Sequence, residues 1–374
     1  MDVQARLAEL AKLPPAARPV VSVYLNTRWT DEAQRERVRI FLKNRVREAR
    51  TAVAARPADD DLDWIDAQGQ RLVAGHEFRD AGGVALFAGG AGLREILPVR
   101  TAFDDTFVVN ATPYLRPLVG VSSIVAPALV VFVGGTHARL LTLTPDGPAA
   151  EVALHADVEG RHSAGGWAAL AQSRYQRHIE EHRGQHYEAV AAAVGDLVDR
   201  HAVRRIVLSG EWRAVALFRG HLPADVARRV VGVVPGAGHE AMATIAARAA
   251  ERLSHVEEQE DATAVDRLLD AAAKGGRAVA GVEPTLEAVN RGAVQQLYLA
   301  PEFERAGAVC DRCAALQAPA GGHCRFCAGA THPTELGEAM MGRVLASGGS
   351  VGVVQRHAGL GGHDGVGAIL RYAA

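Results

Sequence analysis

Residues 160–179 read GRHSAGGWAALAQSRYQRHI: a polar loop holding a Gly-Gly pair that runs straight into a helix-forming stretch. Strand-like segments precede it. Leu129–Val133 and Ala138–Thr144 are β-branched and apolar runs joined at Gly134-Gly135, a hairpin signal, and Glu151–His155 reads as a third strand. Behind the loop, a helix is expected from about Ala168 to Asp199. Strands at Arg205–Leu208 and Val230–Val234 follow, then a helical pattern from Glu240 to about Lys274, interrupted near Glu257–Asp261. Three strands followed by alternating helices and strands define a mixed α/β domain over 121–268. Arg161, Arg174 and Arg177 fall in residues 160–179, which contain no acid. Glycines permit close backbone approach and the first helical turn presents free N–H groups, a combination suited to a phosphate backbone. Arg161 and His162 flank the glycines and are placed for phosphate contact. Arg174 and Arg177 suit either RNA contact or a solvated helix face.

Working outward, the first segment runs to about residue 120. Asp2 can cap a helix over Val3–Lys12 that Pro14-Pro15 ends, and VVSVYL at Val20–Leu25 reads as a buried strand. Asp31 opens a helix to about Ala55 whose face carries Arg35, Arg37, Arg39, Lys43, Arg45, Arg47 and Arg50. That face is either solvated or RNA-facing. Asp59–Asp61 read as a turn before another helix, and Val84–Ala88, Glu95–Val99 and Thr106–Val109 as strands. The third segment, 275–374, alternates a helix at Thr285–Arg291, a strand at Val294–Leu299, a helix capped by Thr334 up to about Ser347, and strands at Ser350–Val354 and Val366–Leu370.

All four cysteines fall within that third segment. Cys310-x2-Cys313 and Cys324-x2-Cys327 are separated by ten residues rich in Ala, Gly and Pro. Two such knuckles complete a tetrahedral thiolate site, so the pattern reads as structural zinc with no open coordination position. Their clustering argues against a disulfide framework.

His178, His182 and His186 recur every four residues on one helix face. HIEEH at 178–182 is not the metalloprotease motif, because Ile179 stands where Glu is required. The trio suits a metal or a polar stripe. No Gly-x-Ser-x-Gly, Walker or dinucleotide fingerprint occurs in a strand–loop–helix context.

The 374 residues suffice for two or three domains, and the net charge of −2 leaves any nucleic-acid binding to local basic patches. With no signal-peptide pattern at the N-terminus and no apolar run near the roughly 20 residues of a membrane span, a cytoplasmic protein without membrane contact is expected.

In this order the features resemble the archaeal and eukaryotic class-1 peptide chain release factor and Pelota family, in its divergent bacterial branch. Val21-Ser-Val-Tyr-Leu25 and Gly83-Val-Ala-Leu-Phe87 resemble strands of that family's N-terminal domain. Residues 160–179 are similar to the loop whose Gly-Gly-Gln tip enters the peptidyl-transferase centre. Gly292–Tyr372, with its knuckles and the ending Gly365-Val-Gly-Ala-Ile-Leu-Arg-Tyr372, resembles the third domain. The resemblance implies a three-domain α/β (α+β) protein: a mixed-sheet domain over 1–120, an RNase H-like middle domain over 121–268, and an α/β domain over 275–374 with a zinc-ribbon insert. It also implies a factor that occupies the ribosomal A site among ribosomal RNA. Its middle domain would reach the tRNA acceptor end, and its third domain would dock partners such as a translational GTPase. The family's reaction is hydrolysis of the peptidyl-tRNA ester.

Gly165 and Gly166 match the tip glycines, but Trp167 stands where the family has Gln. The Gln helps place the attacking water, whereas Trp offers one N–H donor and no acceptor. It can stack on a base or fold back onto its own domain. The family's Asn-Ile-Lys-Ser stop-codon motif has no clear counterpart, which argues against codon-specific termination. Two roles follow for Gly165, Gly166 and Trp167: peptidyl-tRNA hydrolysis in ribosome rescue, or non-catalytic A-site occupancy in a hibernating ribosome. A zinc-ribbon nucleic-acid binder outside translation is the third possibility.

Overall fold

The computed structural model describes residues 3–14, 18–29, 31–52, 57–75, 81–90, 92–99, 101–124, 127–144, 147–148, 151–155, 168–354 and 357–372. In chain order, the first stretch holds α1 (Val3–Ala11), β1 (Val20–Asn26), α2 (Glu32–Thr51), α3 (Asp59–Ala74), β2 (Gly83–Gly89), β3 (Leu93–Val99), β4 (Thr106–Asn110) and α4 (Arg116–Ile124). Next come β5 (Ala128–Val133), β6 (His137–Thr144), β7 (Gly147–Pro148), β8 (Val152–His155), α5 (Ala168–Arg200), β9 (Arg205–Ser209), α6 (Trp212–Arg219), α7 (Ala224–Ala227), β10 (Val230–Val234) and α8 (Met242–Ala273). The last stretch adds β11 (Ala278–Ala280), α9 (Val282–Asn290), β12 (Val294–Leu299), β13 (Ala306–Cys310), β14 (Leu316–Gln317) and β15 (Thr331–Glu335). It ends with α10 (Leu336–Ala346), β16 (Ser350–Val353), α11 (Ala358–Gly361) and β17 (Val366–Leu370). These elements form two units, 1–123 with 258–374, and 124–257.

In the first unit, an antiparallel sheet of order β3-β2-β1-β4 has apolar cover on both faces. That is why β1 reads as a continuous apolar run. Val21, Val23 and Leu25 pack against Val38, Leu42 and Val46 of α2 and Leu62 and Ile65 of α3. Tyr24, from the opposite face, joins Leu7 of α1, Leu286 of α9 and Met340 of α10 in a single core. Both ends of the chain therefore contribute to one core. A second sheet, β11-β17-β12-β16, and a three-stranded one, β14-β13-β15, complete the unit.

Local chemistry explains the helix ends. The Asp31 carboxylate accepts from the Gln34 N–H at 2.9 Å and starts α2. On the basic face of α2, Arg37, Arg39, Arg45 and Arg50 each meet a carboxylate, of Asp105, Glu36, Glu48 and Asp63. These four belong to a solvated, ion-paired surface. Asp59–Asp61, expected as a turn, instead form the first turn of α3, where their charge favours the helix dipole. The expected break near Glu257–Asp261 does not occur, since acidic residues are compatible with a helix and α8 runs through them. Glu335, not Thr334, caps α10: its carboxylate accepts from the N–H groups of Gly337 and Glu338 at 2.8 and 2.7 Å.

The second unit is a mixed sheet of order β10-β9-β5-β6, with β7 and β8 both pairing β6. β5, β9 and β10 are parallel, and β6 is antiparallel to β5. A meander leading into two parallel strands beside the first is the arrangement of an RNase H-like sheet. Alternate residues face opposite layers: Leu129, Val131 and Val133 pack toward α5 and α6, Val130 and Phe132 toward α8. Among the described residues no helix is long and apolar enough to cross a membrane.

One buried ion pair ties together distant parts of the first unit. Arg116 Nε lies 3.3 Å from Glu338 Oε1, and the Leu115 N–H donates to Glu338 Oε2 at 3.2 Å. The Arg116 guanidinium also donates to the carbonyls of Pro301 and Phe303, at 3.3 and 2.7 Å. Burial pushes the Glu338 carboxyl up to about 7, against the pull of Arg116. A carboxyl raised on folding releases its proton first in the unfolded chain. Its contribution is therefore full below about pH 4.5 and is lost as the pH climbs to about 7. Urea titrations should show wild type losing about 3 kcal/mol more stability than Glu338→Gln between pH 4.5 and 7.5.

Candidate functional site

The four cysteines come together at the end of the β13–β15 sheet. Their Sγ atoms all lie within 4.8 Å of one another. Cys310 and Cys327 approach to 3.4 Å, Cys313 and Cys324 to 3.6 Å, and all four thiols are free of disulfides. Four thiolates at about 2.3 Å from one tetrahedral ion stand about 3.8 Å apart, so the cluster has the size of a metal cage.

The two knuckles are built alike. The Ala314 N–H donates to the Cys310 carbonyl and the Ala328 N–H to the Cys324 carbonyl, both at 2.9 Å. Ala314 and Ala328, each just past the second cysteine, take positive φ of 57° and 56°. The Cys310 N–H closes onto Ala315 and the Cys324 N–H onto Gly329, at 3.0 and 2.8 Å. Backbone N–H groups of Cys313 and Arg312 point at Cys310 Sγ from 3.4 and 3.3 Å, and that of Phe326 points at Cys324 Sγ from 3.4 Å. Led by the Cys313 N–H, these contacts hold the Cys310 thiol down at about 6. Donors on sulfur favour the thiolate, the form that binds metal.

Two side chains hold the knuckles to the rest of the unit, and no sequence motif marks either. Asn290, the last residue of α9, clasps the Leu316 backbone with two hydrogen bonds of 2.8 Å and accepts from Arg343 at 2.9 Å. The buried Gln317 donates to the His323 carbonyl at 3.1 Å and accepts from the Arg325 N–H at 3.0 Å. Amides in these places fix a loop that has almost no apolar core of its own. His323 is not part of the thiol cluster.

Gly165, Gly166, Trp167, Arg161 and His162 lie outside the described residues. Helix α5 begins at Ala168, directly after them, and runs 33 residues. Arg174 and Arg177 sit on its first half, and their side chains are outside the described ones. Of the histidines at 178, 182 and 186, His186 is buried at 4% exposure against the sheet, so it is not part of a solvent-facing stripe. Among the described residues the cysteines form the sole metal-sized cluster of His, Cys, Asp and Glu side chains.

Residues 113–260, which contain the diglycine loop, match the family model described as bacterial archaeo-eukaryotic release factor family 10. No curated protein matches the chain. Among solved structures, an archaeal translation termination factor, aRF1, is 15% identical, with 99% of this chain and 97% of that one covered at a TM-score of 0.27. Archaeoglobus fulgidus Pelota is 18% identical, with 77% and 79% covered at a TM-score of 0.39. A model of ribosome-bound archaeal Pelota and ABCE1 gives 13% identity, 99% and 94% coverage and a TM-score of 0.43.

Elemental analysis of the purified chain should find one metal ion per molecule. Cys313→Ser or Cys324→Ser should lower that content at least tenfold and expose β13–β15 to amide exchange.

Proposed function

We propose, from the match of residues 113–260 to the model of bacterial archaeo-eukaryotic release factor family 10, that the chain enters the ribosomal A site and acts in ribosome rescue. The match over the segment that carries the diglycine loop supports this reading most directly. In it, residues 121–268 reach the tRNA acceptor end, with Arg161, His162, Arg174 and Arg177 on RNA phosphates. Residues 1–120 and 275–374 flank that arm, and the latter docks a translational GTPase. A factor of this kind works in the cytoplasm.

Hydrolysis of the peptidyl-tRNA ester would draw mainly on ribosomal RNA. The loop would position water and exclude bulk solvent, and backbone N–H groups at Gly165 and Gly166 can serve without a side chain. Zinc fits the four soft thiolates and closes the coordination shell. Its role is to hold the ribbon rigid, and it supplies no open position for substrate.

One observation favours a second reading. Trp167 lacks the acceptor that the family's Gln presents to water, and its ring suits stacking on a base. A protein so equipped would plug the A site of an idle ribosome and release nothing.

Purified protein added to stalled ribosome–peptidyl-tRNA complexes should release peptide, and Gly166→Ala should lower release at least tenfold; equal release by both proteins rejects a catalytic loop. If occupancy alone is the role, vacant ribosomes from starved cells should carry the protein in the A site, and Trp167→Ala should weaken that binding. Failure to co-sediment with ribosomes at low salt would remove both readings, since phosphate contacts are strongest there.

A further inference from the structure

In the second unit, the buried side-chain atoms without a hydrogen-bond partner among the described residues belong to four residues: Arg139 (Nε and Nη2), Arg183 (Nε), His186 (Nε2) and Ser209 (Oγ). All can donate. Arg139 Nε comes no closer than 3.8 Å to the Glu151 carboxylate, too far for a hydrogen bond. Leaving buried donors unmade is costly, and their concentration in one unit calls for an acceptor.

The sheet register brings the four to one rim. Ser209, Phe132 and Arg139 stand side by side across β9, β5 and β6 and share a face. The Arg139 guanidinium lies 5.2 Å above the Phe132 ring. One pair further along, His137 faces His155, with ring centroids 6.5 Å apart. Arg183 and His186 reach the same rim from α5, which covers the other face. A Cβ on Gly135 would sit 3.5 Å from Arg183 Nε, and the His186 ring hydrogen-bonds the backbone of His137. The loop after β10 closes down on this rim. A Cβ at Gly236 would lie 2.2 Å from Ser209 Oγ, and one at Gly238 2.5 Å from His137 Nε2.

The place matters as much as the donors. β5 and β9 are adjacent and parallel, and beyond their carboxyl ends the chain departs one way into the hairpin with β6 and the other way into α6. In open α/β sheets such a switch point is where ligands bind. Burial lowers the basicity of His186, and the neighbouring His137 and His155 lower it further. Glu151 lies 3.8 Å from Arg139, the Glu240 carboxylate in the loop after β10 is taken by Arg248 and the Ala237 N–H, and no metal-sized cluster of acids and histidines occurs among the described residues. Unpartnered donors beside acids that already have partners are the chemistry of an anion site.

We propose that the carboxyl-end rim of β5 and β9 binds a phosphate group at the Gly134–His137 turn, held first by Arg183 and His186, with Arg139 and Ser209 lining the rim from the opposite face. The test of this site needs no ribosome.

Full-length, metal-loaded protein labelled with 15N-histidine is titrated with inorganic phosphate and, separately, with a short single-stranded RNA, each against chloride at equal ionic strength. The His186 ring signals should move and saturate with phosphate. Arg183→Gln should weaken the apparent affinity at least tenfold, and Ser209→Ala, which removes one hydroxyl, about threefold. Tighter binding of RNA than of inorganic phosphate identifies a nucleic-acid backbone as the source, and the reverse identifies a free phosphate compound; either supports the site. Ring signals that respond to phosphate no more than to chloride, or affinities unchanged in both variants, overturn it. Ribosome co-sedimentation of the same samples separates failure of this site from failure of the ribosomal reading.

Discussion

Burial of sheet strands on both faces is the constraint on which the rest of this protein depends. β5 carries six consecutive buried residues and β2 seven. A strand covered on both sides has no face on which to keep polar side chains. Polar chemistry is therefore driven to strand ends and to the loops beyond them. In the second unit, Gly134, His137 and Ser209 collect at the carboxyl rim, and the diglycine loop lies between the end of β8 and the start of α5.

The first unit meets the same constraint with a different cost. Its N-terminal sheet covers one face with its own helices, α2 and α3, and the other with elements that include α9 and α10 from the far end of the chain. Joining two ends of a chain over a core leaves backbone groups that need partners. Arg116 supplies them for Pro301 and Phe303, and Glu338 does so for Leu115. A buried pair of this kind gains little over a well-packed apolar one, but removing one partner strands the other. It fits a role in register and specificity rather than in net stability.

The cysteine knuckles have almost no apolar interior, since Cys310, Ala315 and Cys324 are their buried apolar members. A loop with so little core needs another source of order. Two positive-φ alanines, paired N–H···S contacts and the amides of Asn290 and Gln317 arrange the four sulfurs in a cluster of the size that holds a metal ion. Rigidity here comes from directional bonds instead of buried area.

Periodicity and composition made most elements legible. β-branched runs such as Val20–Leu25 and Val230–Val234, the Asp31 cap, the Gly134-Gly135 hairpin and the cysteine spacing were all readable because each depends on residues close in sequence. The cap of α10 was misplaced by one residue because Thr334 and Glu335 are both able acceptors, and it is the Glu335 carboxylate that reaches the N–H groups of Gly337 and Glu338. The helical period put His186 in a stripe with His178 and His182, yet only the packing of α5 on the sheet shows it to be buried. No motif or spacing in the sequence singles out Ser209, Arg139, Asn290 or Gln317. By itself the sequence determined most of the elements and the thiolate set, since these follow from local propensity and spacing. Tertiary structure alone decided that both ends share one core and that donors from β6, β9 and α5 meet at one rim. Those facts rest on contacts between residues far apart in the chain, and no local pattern encodes them.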